Sequence, residues 1–102
     1  MTTVVNIRRK KGQPMPHYDA LIDRRTIFGN PYQIGVDGDR ELVLSKFRTY
    51  FNRRLTDPTF RDKVLSLKGK VLGCWCKPLA CHGDVIVEYL EHEALSQEHT
   101  DT

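Results

Sequence analysis

In this chain, two strand-like segments are followed by two helical patterns and then by a third strand-like segment. This order restricts the folds that the chain can adopt. β-Branched residues predict strands over 3–7 and 18–22, and residues 70–76 read as a third, central strand. Helical periodicity fits 40–55, 58–68 and the segment from Cys81 or His82 onward. A connection with two helices is long enough for a crossover between parallel strands. The sequence therefore predicts a small single-domain α/β fold, ordered β-β-α-α-β-α, in which about three helices pack a partly parallel three-stranded sheet.

Capping residues and apolar spacing define the predicted helices. Asp39 is the expected N-cap of the first helix, and Asp57 caps the second, with Pro58 at its first position. The apolar faces are expected to be buried; they comprise Val43, Phe47, Tyr50 and Phe51, then Phe60, Val64 and Leu67, then Val85, Ile86, Tyr89 and Leu90. Trp75 is expected to pack beneath a helix.

The size and composition of the chain restrict its class. A chain of 102 residues with 39% hydrophobic and 28% charged residues is typical of one globular domain, assigned to residues 1–95 with a polar tail over 96–102. No apolar run approaches the roughly 18 residues of a membrane span, and the start lacks the pattern of a signal peptide. We therefore expect a cytoplasmic protein without a membrane partner. The net charge of +3 permits anionic partners without requiring nucleic acid.

All three cysteines lie between positions 74 and 81, followed directly by His82. Their odd number and clustering argue against a secreted disulfide scaffold. One interpretation is a zinc site, because Cys74, Cys76, Cys81 and His82 form a Cys3His ligand set. Adjacent side chains project in different directions, so His17 or Asp84 is the alternative to His82 as fourth ligand.

Two further interpretations of the cysteines stay open. Cys81 near a helix N-terminus, beside His82 and Lys77, has the setting that lowers a thiol pKa. Cys81, His82 and Asp84 are therefore the candidate catalytic residues. The other interpretation is that the cysteines, Cys74 above all, fill the core as small hydrophobic residues.

Polar residues follow each of the three predicted strands. Since ligands bind at the carboxyl ends of parallel strands, the ligand-binding candidates are Asn6, Arg24, Asn30 and Lys77. Arg24 opposite a helix N-terminus would suit a phosphate or carboxylate. The structural alternative is an ion pair of Arg24 with Asp23 or Asp84.

The segment Gly69–Asp84 resembles the signature G-K-x-L-x-C-W-C-x-P-x-x-C-H-G-D of a domain of unknown function, DUF4326, found in phages, bacteria and archaea. Asn6, Arg24 and 29–32 match further parts of that pattern, whereas Asp23 stands where the family usually has Gly, and residues 25–26 where it tends to have Pro-Ser. The resemblance covers about residues 3–92. It implies no activity, but it is compatible with a phage or mobile-element origin and places seven residues in the shared pattern: Arg24, Asn30, Cys74, Cys76, Cys81, His82 and Asp84.

Two functional hypotheses follow. The leading one is a small-ligand site, binding or catalytic, for a nucleotide-like or phosphate-bearing molecule. The alternative is a zinc-stapled module that binds nucleic acid or a host protein, supported by the cysteines and by the basic loop over residues 8–11.

Overall fold

A computed structural model describes residues 1–8, 12–14, 16–75 and 79–100, with side chains as far as residue 92. Its sheet contains β1 (Thr3–Asn6), β2 (Ala20–Leu21) and β3 (Val71–Cys74), in the order β1-β3-β2. β3 pairs in parallel with both neighbours. The predicted α/β order and the central position of the third strand are confirmed, and both strand pairings are parallel.

The second and third strands are shorter in the structure than the sequence predicts. β2 has two residues instead of the expected five, although Ile22 N–H still donates to the Gly73 carbonyl at 3.0 Å. β3 ends at Cys74, so Trp75 lies beyond the strand instead of within it, and Cys76 lies outside the described residues.

Three helices follow the predicted order: α1 (Arg40–Arg54), α2 (Pro58–Leu65) and α3 (His82–Thr100). Both predicted N-caps are confirmed, since Asp39 accepts from Leu42 N–H and Asp57 from Thr59 N–H, each at 2.9 Å. Among the described residues, none of these helices is both long and apolar enough to cross a membrane.

The helices pack on the sheet face that carries Leu72 and Cys74. The predicted apolar faces form this core, with Tyr50 and Tyr89 partly buried at its margin. Gly73 faces the other way, where an added Cβ would lie 2.7 Å from Ile7 Cγ2, so only glycine fits beneath that side chain.

The expectation that Trp75 packs beneath a helix is wrong. Trp75 is 48% exposed. The strand ends at Cys74, and the indole of Trp75 extends from the sheet toward the loop that follows β2. This loop and the carboxyl ends of β2 and β3 form the site described next.

Candidate functional site

A cavity of about 290 Å³ lies at the carboxyl ends of β2 and β3, between the starts of α1 and α3. This is the position at which open parallel sheets bind ligands. Four of the predicted site residues line the cavity: Arg24, Asn30, Cys81 and His82.

The other predicted residues lie elsewhere. The amide nitrogen of Asn6 lies 3.4 Å from the Trp75 carbonyl oxygen, beside the cavity, and among the described lining residues neither Asn6 nor Asp84 appears. Cys74 is buried in the core. Cys76 and Lys77 lie outside the described residues.

Among the described residues, three arginines line the cavity, and they differ in how their charge is balanced. Arg25 directs its Nε and one Nη to the same carboxylate oxygen of Asp23, at 2.9 and 2.6 Å. Arg24 and Arg40 each donate to a backbone carbonyl, of Tyr32 at 3.0 Å and Ala80 at 2.8 Å. Within the described part of the chain neither of them forms an ion pair.

The predicted alternative of an Arg24 ion pair with Asp23 or Asp84 is therefore wrong. Arg25 occupies the carboxylate of Asp23 instead, since both groups lie on the same side of the turn that follows β2. Among the described residues, Arg24 and Arg40 therefore bring positive charge to the cavity without a carboxylate partner.

Asp23 is a buried carboxylate that links the loop to Trp75. It accepts the Arg25 backbone N–H at 3.0 Å and the Trp75 indole N–H at 3.1 Å, in addition to the Arg25 guanidinium. The hydrogen bonds from Arg25 hold the pKa of this carboxyl below its ordinary value, with a smaller contribution from Trp75. Asp23 therefore stays ionised at neutral pH and fixes the indole in place.

The Gly-Asn-Pro turn folds back tightly on the end of β2. A Cβ on Gly29 would lie 2.5 Å from the Asp23 carbonyl oxygen and 2.6 Å from Arg24 Cα, both backbone atoms that cannot move aside independently. The next residue, Asn30, accepts the Tyr32 N–H at 2.9 Å and so forms a local turn. Gly29 thus brings Asn30 and Tyr32 to the cavity.

Cys81 and Asp84 cap the start of α3 reciprocally. The Cys81 sulfur accepts the Gly83 N–H at 3.3 Å, and the Asp84 carboxylate accepts the Cys81 N–H at 3.1 Å. The arrangement resembles a capping box in which Cys replaces Ser or Thr and Asp replaces Glu or Gln, except that the Cys81 sulfur accepts from the second helical residue, Gly83, instead of the third. Because the helix start satisfies these donors itself, the positive charge at the cavity comes chiefly from Arg24 and Arg40.

Gly83 lets α3 begin directly against the sheet. An added Cβ would lie 2.9 Å from Ile22 Cδ1 and 3.0 Å from Val4 Cγ1. The Cys-His-Gly-Asp string therefore encodes a capped helix start that packs closely on β1 and β2.

The thiols of Cys74 and Cys81 lie in the core, each 1% exposed, with their sulfur atoms 3.4 Å apart. The hydrogen bond with Cys74, followed by burial, raises the pKa of the Cys81 thiol. This is the opposite of the lowered pKa that a reactive thiolate requires.

The predicted metal ligands are only partly brought together. His17 contacts Asp19 on the surface, with its Nε2 3.1 Å from Oδ1. In the described ranges no group of three His, Cys, Asp or Glu side chains is placed to hold a metal ion.

His82 connects the start of α3 to the end of β2. Its Nε2 lies 2.5 Å from the Ile22 carbonyl oxygen, which can only accept, so Nε2 carries the proton. Burial lowers the pKa of the imidazole, which is therefore neutral at pH 7. The other nitrogen, Nδ1, has no hydrogen-bond partner within the described residues, and His82 is one of the residues that line the cavity.

Comparison with known proteins assigns this chain to a family. The sequence model of the domain of unknown function DUF4326 matches residues 5–92. The chain belongs to this family. It is also 41% identical over 71 residues to an uncharacterized 12.4 kDa protein in the nrdA-td intergenic region of Enterobacteria phage T4; the match covers 68% of this chain and 64% of that protein. The chain thus spans about 64% of that relative's length. No solved structure matches the chain.

The described lining residues that the sequence-predicted candidates did not include comprise Asp23, Arg25, Arg40 and Trp75. A local signal existed for Asp23 and Arg25, because both depart from the resembled family pattern and both lie in one turn. No local signal marked Arg40, since its position depends on how α1 packs beside the start of α3.

Proposed function

We propose that this protein binds a small nucleotide-like or other phosphate-bearing molecule in the cavity at the carboxyl ends of β2 and β3. The observation that carries the proposal is that Arg24 and Arg40 line one cavity, and neither has a carboxylate partner among the described residues. Guanidinium groups form strong, directional hydrogen bonds with phosphate oxygens. The neighbouring Arg25 is neutralised by Asp23, so the free charge is concentrated on the other two.

The size of the cavity limits the ligand. Its volume of about 290 Å³ lies just below the range of about 300–1,000 Å³ for small-molecule sites. A single nucleotide or a sugar phosphate suits it better than a dinucleotide. His82 Nδ1 offers one hydrogen-bond acceptor that would orient such a ligand.

Replacing Arg24 or Arg40 with glutamine is expected to weaken the affinity for a phosphate-bearing ligand by about tenfold each. A hydrogen bond to a charged group contributes about 1.5–3 kcal/mol, and glutamine retains a donor while it loses the charge. Isothermal titration calorimetry with adenosine 5′-monophosphate, ribose 5-phosphate and inorganic phosphate measures the effect.

Arg61→Gln is the matched control, because Arg61 is exposed on α2 and its replacement changes the net charge by the same amount. We expect it to leave the affinity within about twofold. The proposal fails if none of the three compounds binds the wild-type protein, or if Arg61→Gln weakens binding as much as Arg24→Gln.

The second candidate function is a zinc-stapled module that binds nucleic acid or a host protein. The observation that favours it is the pair of sulfur atoms of Cys74 and Cys81, 3.4 Å apart, which would supply two of four zinc ligands. The remaining ligands would include Cys76, which lies outside the described residues. His82 is oriented toward the Ile22 carbonyl through Nε2, so only its Nδ1 is available for a metal.

A zinc-stapled module predicts about one equivalent of zinc in protein purified without added metal. Cys74→Ser would lower both the zinc content and the thermal stability, because a structural zinc ion contributes to folding. Elemental analysis by mass spectrometry measures the content. A value below about half an equivalent rejects the module and leaves the thiol pair as part of the hydrophobic core.

A further inference from the structure

The cavity combines its two free arginines with an exposed aromatic ring, and we infer that the ligand is a nucleoside monophosphate whose base stacks on the Trp75 indole. This inference rests on the proposed function and specifies the class of its ligand. Trp75 lines the same cavity as Arg24 and Arg40. A sugar phosphate would use the arginines alone, whereas a nucleotide would use both features.

Trp75 is more exposed to solvent than is usual for a large apolar side chain. Tryptophan side chains bury a large apolar area in folded proteins, yet this residue is 48% exposed. Trp75 directly follows the carboxyl end of the central strand and lines the cavity, where a ligand of this fold would bind. A flat ligand group would cover this surface.

The indole is held in one orientation before any ligand binds. Its N–H donates to Asp23 at 3.1 Å, and Asp23 is itself fixed by Arg25. The Trp75 carbonyl lies 3.4 Å from the amide nitrogen of Asn6, which constrains the backbone at the same point. Because the ring is already ordered, stacking on it costs little conformational entropy.

The polar edge of the indole is not available to a ligand. Its single N–H is used by Asp23, so the ring offers only its π face. Every nucleobase has a complementary π face, and base–aromatic stacks of this kind stabilise many nucleotide complexes. The guanidinium groups of Arg24 and Arg40 would bind the phosphate of the same molecule.

Intrinsic fluorescence tests the inference directly, since Trp75 is the only tryptophan of the chain. We expect adenosine 5′-monophosphate to quench this emission and to bind about tenfold or more tightly than ribose 5-phosphate. Trp75→Leu should lower the affinity for adenosine 5′-monophosphate to that of the wild-type protein for ribose 5-phosphate, measured by calorimetry. Trp75→Phe keeps an aromatic face and should retain most of the preference.

The possible outcomes separate this inference from the proposed function. Equal affinities of the wild-type protein for adenosine 5′-monophosphate and ribose 5-phosphate overturn the stacking inference and leave the phosphate site in place. No binding of either compound overturns both. If Trp75→Leu fails to give a cooperative thermal transition, the comparison of Trp75→Phe with the wild-type protein decides, and loss of the preference in that aromatic variant contradicts stacking.

Discussion

Replacing His82 with alanine is expected to lower the free energy of unfolding by about 3 kcal/mol. The Ile22 carbonyl would lose the donor that lies 2.5 Å away, and an unsatisfied buried acceptor costs about 1–3 kcal/mol. The imidazole also packs edge-on against Phe47, with ring centroids 5.3 Å apart, so its removal leaves a void beside the core. Urea denaturation followed by circular dichroism measures the loss.

The pH dependence of stability provides a second measurement of the same contact. Burial lowers the pKa of His82 below its ordinary value of 6.5, so the unfolded chain binds a proton more readily than the folded one. The contribution of the neutral imidazole is therefore present above pH 6.5 and is lost as the pH falls toward the folded pKa. The wild-type protein should lose stability as the pH falls below 6.5, and His82→Ala should reduce that slope.

His17→Ala is the control, because His17 is exposed and forms only a surface contact with Asp19. Its effect should stay within about 0.5 kcal/mol. His82→Gln, which retains an N–H donor near the position of Nε2, should recover part of the loss. Equal destabilisation by His17→Ala and His82→Ala, or an unchanged pH slope in His82→Ala, would contradict the assigned role.

Features with a local cause could be predicted from the sequence. Asp39 and Asp57 cap helices through residues two or three positions away, and the apolar spacing of α1 reflects one helical face. The parallel pairing of β3 followed from the crossover that two helices permit. β2 was harder to delimit, because the pairing of this short edge strand is determined by β3 and not by its own residues.

The connections within the site could not be predicted, because they join residues far apart in the chain. The Asp23–Trp75 hydrogen bond spans 52 positions, and the Arg40–Ala80 hydrogen bond spans 40. Whether Arg24 or Arg25 would pair with Asp23 depended on the shape of one turn.

The capping role of Cys81 is a different case, because its cause is local. A Cys three positions before an Asp has the spacing of a capping box, yet the three clustered cysteines directed attention to metal binding and reactivity. The spacing of side chains that could cap a helix is therefore informative even where the capping atom is a sulfur.

Replacing Asp23 with alanine is expected to lower the free energy of unfolding by about 2 kcal/mol and to release Trp75 from its fixed orientation. Asp23 accepts hydrogen bonds from the Arg25 backbone and guanidinium and from the Trp75 indole, and such bonds to a charged group contribute about 1.5–3 kcal/mol. The Arg25 side chain is 69% exposed, so solvent screening keeps the total near the lower end. Urea denaturation measures the stability, and acrylamide quenching of the single tryptophan measures its accessibility.

If the Asp23 carboxylate fixes both Arg25 and Trp75, substitutions of Asp23 should change the free energy of unfolding and the quenching of Trp75 together. Asp23→Asn keeps an acceptor oxygen for the indole and loses the charge, so we expect less quenching than in Asp23→Ala with a similar loss of the Arg25 contact. Asp62→Ala, at an exposed position of α2, makes the same change in charge and should alter stability by no more than about 0.5 kcal/mol. An Asp23→Ala protein that unfolds at the wild-type urea concentration with unchanged quenching would show that the carboxylate does not hold the indole. The orientation of Trp75 would then need another cause, and the preorganised stacking surface proposed for the nucleobase would lose its support.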